Sequence, residues 1–148
     1  MPSRRNNLII YLIGSLRDPA VPILGNTLRQ LGFDVFDDWF AAGEIADDRW
    51  QEYEQLRGHT LAQALDGYAA QHVFRYDLHH LNRADIGVLL LPCGKSGHIE
   101  AGYLVGQGKP VYVLLPDEPS RFDVMYAHFS GVYSSEESLF DALNLQIK

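Results

Sequence analysis

LIIYLIG, residues 8–14, is an uncharged run whose only non-aliphatic members are Tyr11 and Gly14. A strand with one wet face would alternate apolar and polar side chains, so this continuous run reads as a strand covered on both faces. IGVLLLP, residues 86–92, reads the same way. Helical spacing lies between the two. Leu24, Leu28 and Leu31 mark a first helix with Gly32 as its C-cap, and FDVFDD, residues 33–38, is a second strand. Trp50, Tyr53, Leu56 and then Leu61, Ala62, Leu65 mark two helical stripes, with Gly58 and Gly67 as breaks. Residues 77–83 read as a further helical turn or two before the third strand, residues 86–91. Residues 100–105 look helical, Lys109-Pro110 ends that element, VYVLL (111–115) is the fourth strand, SGVY (130–133) a short fifth, and residues 136–145 the last helix.

Strands and helices in this order predict a single α/β domain over residues 1–148, a doubly wound, parallel, five-stranded sheet of flavodoxin-like order. In that order the first and third strands are neighbours, and ligands bind beyond their carboxyl ends. Two loops then meet, GSLRD (14–18) and PCGKSGHIE (92–100). Glu100, read as a lone carboxylate in the Gly-flanked turn SGHIEAGY (96–103), faces the resulting cleft.

Composition limits what the cleft can serve. A chain of 148 residues, 47% hydrophobic, buries one core. The net charge is −7, from 19 acidic against 12 basic side chains, and the basic ones cluster only at Arg4-Arg5. A nucleic-acid surface is therefore not expected. Cys93, the single cysteine, cannot form an internal disulfide, which points to a reducing cytoplasm. The apolar start is interrupted by Gly14, Ser15 and Arg17 before it reaches signal-peptide length, and no run approaches the roughly 20 residues of a membrane span.

GSLRD supplies a glycine for close approach, a hydroxyl and an arginine, which suit a phosphate or a sugar hydroxyl as well as they suit a plain strand-to-helix turn. PCGKSG is not a P-loop, because Gly87 to Gly94 is the wrong separation. No metal site is expected: His79 and His80 diverge, and His98 and Glu100 are two apart. Cys93 reads as a small buried hydrophobe, and no cofactor is expected.

Four stretches in order resemble the nucleoside 2-deoxyribosyltransferase family, including its 2′-deoxynucleoside 5′-monophosphate N-hydrolase and CMP hydrolase relatives. These are Tyr11-x-x-Gly14-Ser15-x-Arg17, Asp77-Leu78-x-x-Leu81-x-x-Ala84-Asp85, Gly97-x-x-Glu100-x-Gly102 and Lys109-Pro110. The resemblance implies that Glu100 is a nucleophile toward the anomeric carbon, displacing the base and forming a glycosyl ester. It implies that Asp77 orients the nucleophile or handles the proton on the base, that Tyr11 lies near the nucleophile, and that Gly14, Ser15 and Arg17 form the sugar-phosphate loop. An adjacent carboxylate suits the oxocarbenium-like state of N-glycoside cleavage.

The chain also departs from the family. The monophosphate hydrolases carry a serine six residues before the glutamate, where Gly94 stands; Ser96 is the candidate to replace it. Asp123 stands where the transferases have an asparagine and the hydrolases a serine, and it would repel a 5′-phosphate that Arg17 would attract. Asp37, Trp39, Gly97, His98 and Met125 complete the expected substrate-binding set. Trp39 and Trp50 lie in an acidic, aromatic segment, residues 37–57, that reads as a base-stacking lid or as an amphipathic helix burying Trp50 and Tyr53. The family's neighbours complete one another's pockets, so a homodimer or higher homo-oligomer is expected, with the Asp123 to Met125 segment as donor. The expected function is cleavage of the N-glycosidic bond of a small-molecule nucleoside or nucleotide. The alternatives are a TIR-like NAD glycohydrolase and a non-catalytic nucleotide-sensing module.

Overall fold

The computed structural model describes residues 6–147; the Arg4-Arg5 pair lies outside them. Five strands, β1 (Ile9–Ile13), β2 (Asp34–Phe36), β3 (Ile86–Leu90), β4 (Val111–Leu114) and β5 (Gly131–Tyr133), form one sheet in the order β2-β1-β3-β4-β5. Every pairing is parallel. This is the flavodoxin-like order expected, with the switch point between β1 and β3.

Side-chain alternation along β1 divides the core. Ile10 and Leu12 pack with Val21, Leu24 and Leu28 of α1 (Ala20–Gln30), and Leu139 and Leu143 of the last helix, Glu136–Asn144, complete that layer. Tyr11 and Ile13 face the other way, against Leu81, Ala101 and Leu104.

The helices on this second face differ from the sequence expectation. The 3-10 turn Asp38–Ala42 follows β2, and then come α2 (Ala46–Leu56), α3 (Leu61–Leu65) and α4 (Tyr68–Arg83). Gly58, at φ 77°, ends α2, and Thr60 with Gln63 forms a capping box for α3. Gly67 is the N-cap of α4, so both expected breaks occur. Residues 77–83 are the end of one 16-residue helix and not a separate short one. The expected stripe on α2 is also shifted: Tyr53 is exposed, while Glu54 is buried and accepts a 2.5 Å hydrogen bond from His59 Nδ1.

α5 (Lys95–Gly106) carries the main correction. Lys95, Ser96, Gly97 and His98 are its first turn, so the helix expected from residue 100 begins five residues earlier and the stretch read as a Gly-flanked turn is itself helical. The helix can start this early because two glycines allow close packing. A Cβ on Gly97 would overlap Cys93 Sγ and come within 2.9 Å of Ile13 Cγ2, and one on Gly87 of β3 would lie 2.7 Å from Leu104 Cδ1. Gly97, Glu100 and Leu104 are three and four residues apart and so share one face of α5. The carboxylate is thereby carried on the sheet-facing stripe.

Two further sequence signals have structural work. Asp85 Oδ2 accepts from the backbone N–H of Ile9 at 2.8 Å. Lys109 Nζ donates to the carbonyls of Leu81 and Asn82 at 2.9 and 3.1 Å, capping the C-terminus of α4.

Candidate active site

Tyr11 points from the middle of β1 toward α5, and its hydroxyl donates to Glu100 Oε2 at 2.6 Å. Burial pushes the Glu100 carboxyl up to about 7 from 4.5, the Tyr11 hydrogen bond pulls down, and the charge of Asp77 pushes up further. Burial also raises the Tyr11 phenol far above its usual value, with Glu100 and then Asp77 adding to the shift. Tyr11 is therefore a neutral donor whose hydroxyl favours the ionised form of Glu100.

Asp77 reaches the site from α4. Phe36 of β2 stacks on His80 at 3.8 Å between ring centroids, packs edge-on to Tyr76 at 5.7 Å and lies tilted against Tyr11 at 5.2 Å. These contacts anchor α4 on either side of Asp77. Burial raises the Asp77 carboxyl, and Asp47 in the first turn of α2 adds to the effect. Two carboxyls with raised proton affinity and one tyrosyl hydroxyl thus meet on the α4–α5 side of the sheet, where one acid can hold a proton while another attacks.

The other expected residues divide into groups. Gly14, Ser15 and Arg17 follow β1; Ser15 Oγ accepts from the Arg17 N–H at 3.1 Å, and Arg17 Nη2 pairs with Asp48 Oδ2 of α2 at 3.0 Å. Asp37 is drawn to α1, where its two oxygens meet Arg29 Nη1 and Nη2 and a Cβ at Gly25 would overlap it. Trp39 donates Nε1–H to the Leu12 carbonyl at 2.8 Å, which sets its ring at the carboxyl end of β1 beside Gly14. Trp50 is partly buried in α2, with an indole N–H that has no hydrogen-bond partner.

His98 Nδ1 lies 2.8 Å from the Gly94 carbonyl and Nε2 2.7 Å from Tyr126 Oη. A carbonyl only accepts, so Nδ1 is the donor in the first of these contacts. Gly97 serves packing, and Ser96 is exposed in the first turn of α5. Asp123 and Met125 begin the 3-10 turn Val124–His128, where Asp123 Oδ1 accepts from the Met125 N–H at 2.9 Å; both are exposed. Cys93 has its thiol raised by burial and by the charge of Glu100.

Sequence reasoning did not single out Asp47, Asp48 or Tyr126. Asp47 and Asp48 were visible only as acids in an aromatic stretch, and Tyr126 as the neighbour of Met125. Among the described residues no group of three His, Cys, Asp or Glu side chains is arranged to hold a metal ion, and no helix is long and apolar enough to cross a membrane.

Comparison with solved structures places this architecture. The chain has the fold of a 2-deoxyribosyltransferase. The enzyme of that name from Bacillus psychrosaccharolyticus superposes with a TM-score of 0.61 at 18% identity, over 88% of this chain and 89% of the other. A conserved protein from Enterococcus faecalis gives 0.62 at 17%, over 95% and 99%. The CMP N-glycosidase of Clostridium botulinum gives 0.53 at 14%, over 92% and 98%. No family model and no curated protein sequence matches the chain. The likeness read from four short stretches thus holds for the 2-deoxyribosyltransferase fold, at identities where only the fold is carried over.

Proposed function

We propose that the domain cleaves the N-glycosidic bond of a nucleoside or nucleotide, with Glu100 as nucleophile. The observation that carries this reading is the 2.6 Å hydrogen bond from Tyr11 to a Glu100 carboxyl that is raised to about 7 beside Asp77. With Oε2 held by Tyr11, Oε1 attacks the anomeric carbon. The bond from that carbon to the base nitrogen breaks, its electron pair leaves with the base, and a Glu100 ester forms. Asp77, whose carboxyl is raised by burial, supplies or relays the proton that makes the base a better leaving group. Water or a second base then attacks the same carbon and frees Glu100. The names of two proteins of the same fold, a 2-deoxyribosyltransferase and a CMP N-glycosidase, support N-glycoside chemistry.

The domain is proposed to work as a homodimer or larger assembly, because α4 exposes Tyr68, Val73, Phe74 and Tyr76 on one element that also carries Asp77. The test of function is a panel of nucleosides, nucleoside monophosphates and NAD assayed for free base. Release that is lost in Glu100→Gln supports the reading. Ligand-dependent thermal stabilisation with no release from any member would replace it with a sensing module.

A further inference from the structure

Arg17 is the only Lys or Arg of the β1–α1 loop, and its guanidinium is already paired with Asp48. Asp48 and Asp47 are the acidic pair in the first turn of α2. Asp47 is close enough to act on Asp77, and Asp77 on Glu100, so acidic side chains continue from the Arg17 partner to the proposed nucleophile. A neutral nucleoside meets no net repulsion along this wall. A phosphate dianion has to displace Asp48 from Arg17 and then sit beside the displaced carboxylate and its neighbour.

Resting on the glycosidase reading, we infer that Asp48 is a specificity-determining residue that withholds Arg17 from 5′-phosphates, and that the substrate class is the unphosphorylated nucleoside. NAD, with its pyrophosphate, is disfavoured on the same ground. The α2 acids also complement the positive end of their own helix, a purely structural role that would affect stability but not the choice between substrates. Discrimination here combines an attractive group taken out of use with a repulsive one set in place. The Arg17 and Asp48 side chains are 66% and 55% exposed, so the effect of the pair is small and sensitive to salt.

The experiment compares kcat and KM for 2′-deoxynucleosides and their 5′-monophosphates in the wild type, Asp48→Asn, Asp48→Ser, Arg17→Ala and the Arg17→Ala/Asp48→Asn double variant. Binding of 2-deoxyribose 5-phosphate, measured by calorimetry, gives a readout that needs no turnover. The wild type is expected to prefer nucleosides. Either Asp48 exchange should narrow that preference about two- to fivefold, through the KM of the monophosphate, and should tighten 2-deoxyribose 5-phosphate by a similar factor. Both gains should shrink in the Arg17→Ala background and at 0.5 M salt, roughly a Debye length of 4 Å.

A wild-type preference for monophosphates overturns the inference. So do Asp48 variants that change thermal stability alone and leave the substrate ratio and 2-deoxyribose 5-phosphate affinity where they were. If neither substrate class releases base, the glycosidase reading fails by itself. The binding arm then still decides the role of the pair: tighter 2-deoxyribose 5-phosphate in the Asp48 variants upholds it, and unchanged affinity rejects it.

Discussion

Tyr11 and Glu100, 89 positions apart in the chain, are joined by a 2.6 Å hydrogen bond that runs from the middle of β1 to the sheet-facing side of α5. The bond exists because α5 lies unusually close to the sheet. Gly97 removes a side chain opposite Ile13 and Cys93, Gly87 makes room for Leu104, and Glu100 falls between these two points of approach. A carboxylate held on a core-facing stripe is costly when charged, and this cost is the physical basis of its raised proton affinity.

That cost predicts opposite effects of Glu100→Gln on activity and stability. Turnover should fall by several orders of magnitude, because the amide neither attacks nor balances positive charge on the sugar. Above pH 8 the fold should become more stable, by up to about 3 kcal/mol, because a buried charge is removed. Calorimetric melting of both proteins at pH 8 and base-release assays check the pair of effects. A variant that melts earlier and keeps near-normal turnover would make Glu100 a structural carboxylate.

The pH dependence follows from the same group. A nucleophile must be ionised, so base release should rise with pH through an apparent pKa near 7. Stability should move the other way. The folded-state value, about 7, lies above the ordinary 4.5, so between these values the folded protein holds a proton that the unfolded chain has lost. The Glu100 contribution is thus fully present below pH 4.5 and lost as pH rises to 7. Tyr11→Phe removes a hydrogen bond that lowers the value and should shift the activity limb to higher pH; Asp77→Asn removes a charge that raises it and should shift the limb to lower pH. Rate profiles of the two variants moving in the same direction would refute this account of the site.

The strands β1, β3 and β4 were legible because they are continuous apolar runs, and the order of the sheet followed from the alternation of strands with helices. α4 was not legible from its start at Tyr68 because Val73, Phe74 and Tyr76 are exposed, so its apolar residues do not mark a stripe toward the core. The N-terminal half of α5 was hidden for the opposite reason: Gly94, Gly97 and Gly102 suggest a turn, while close packing on the sheet is what makes Gly97 helical. Glu100, Tyr11 and Asp77 were singled out together only through resemblance to a family, since no local pattern connects residues on β1, α4 and α5. The Arg17–Asp48 pair, 31 positions apart, depends on where α2 returns to the sheet, which periodicity does not encode.

The packing of α5 gives a prediction about a residue that touches no substrate in this account. Gly97→Ala places a methyl group against Cys93 Sγ and 2.9 Å from Ile13 Cγ2, so α5 has to move outward and the Tyr11–Glu100 bond has to lengthen. Overpacking of this kind costs about 1–3 kcal/mol. Melting temperature and base release should both fall. Adding Cys93→Ala removes the nearer obstacle but leaves Ile13, so the double variant should recover part of each loss. A Gly97→Ala protein with unchanged melting and a large activity loss would instead make Gly97 a point of substrate approach, as the sequence alone had it.

The exposed apolar residues of α4 give the last prediction. Tyr68 is 97% and Phe74 57% exposed on a helix that carries Asp77 toward the proposed site, and Ile99 of α5 is exposed beside Glu100 in the chain. Large apolar groups gathered on the elements that carry the candidate carboxyls are what an isologous interface would bury, and aromatic residues dominate such interfaces. Phe122, Val124 and Met125, also exposed, flank Asp123 on the segment proposed to reach a neighbour's pocket. Light scattering should therefore give at least a dimer at micromolar concentration. Phe74→Asp places a charge in the proposed contact, so it should shift the protein toward monomer and lower base release together, with dilution of the wild type producing the same coupled loss. A monomeric wild type with full activity, or a monomeric Phe74→Asp variant that works normally, would show that each chain completes its own site.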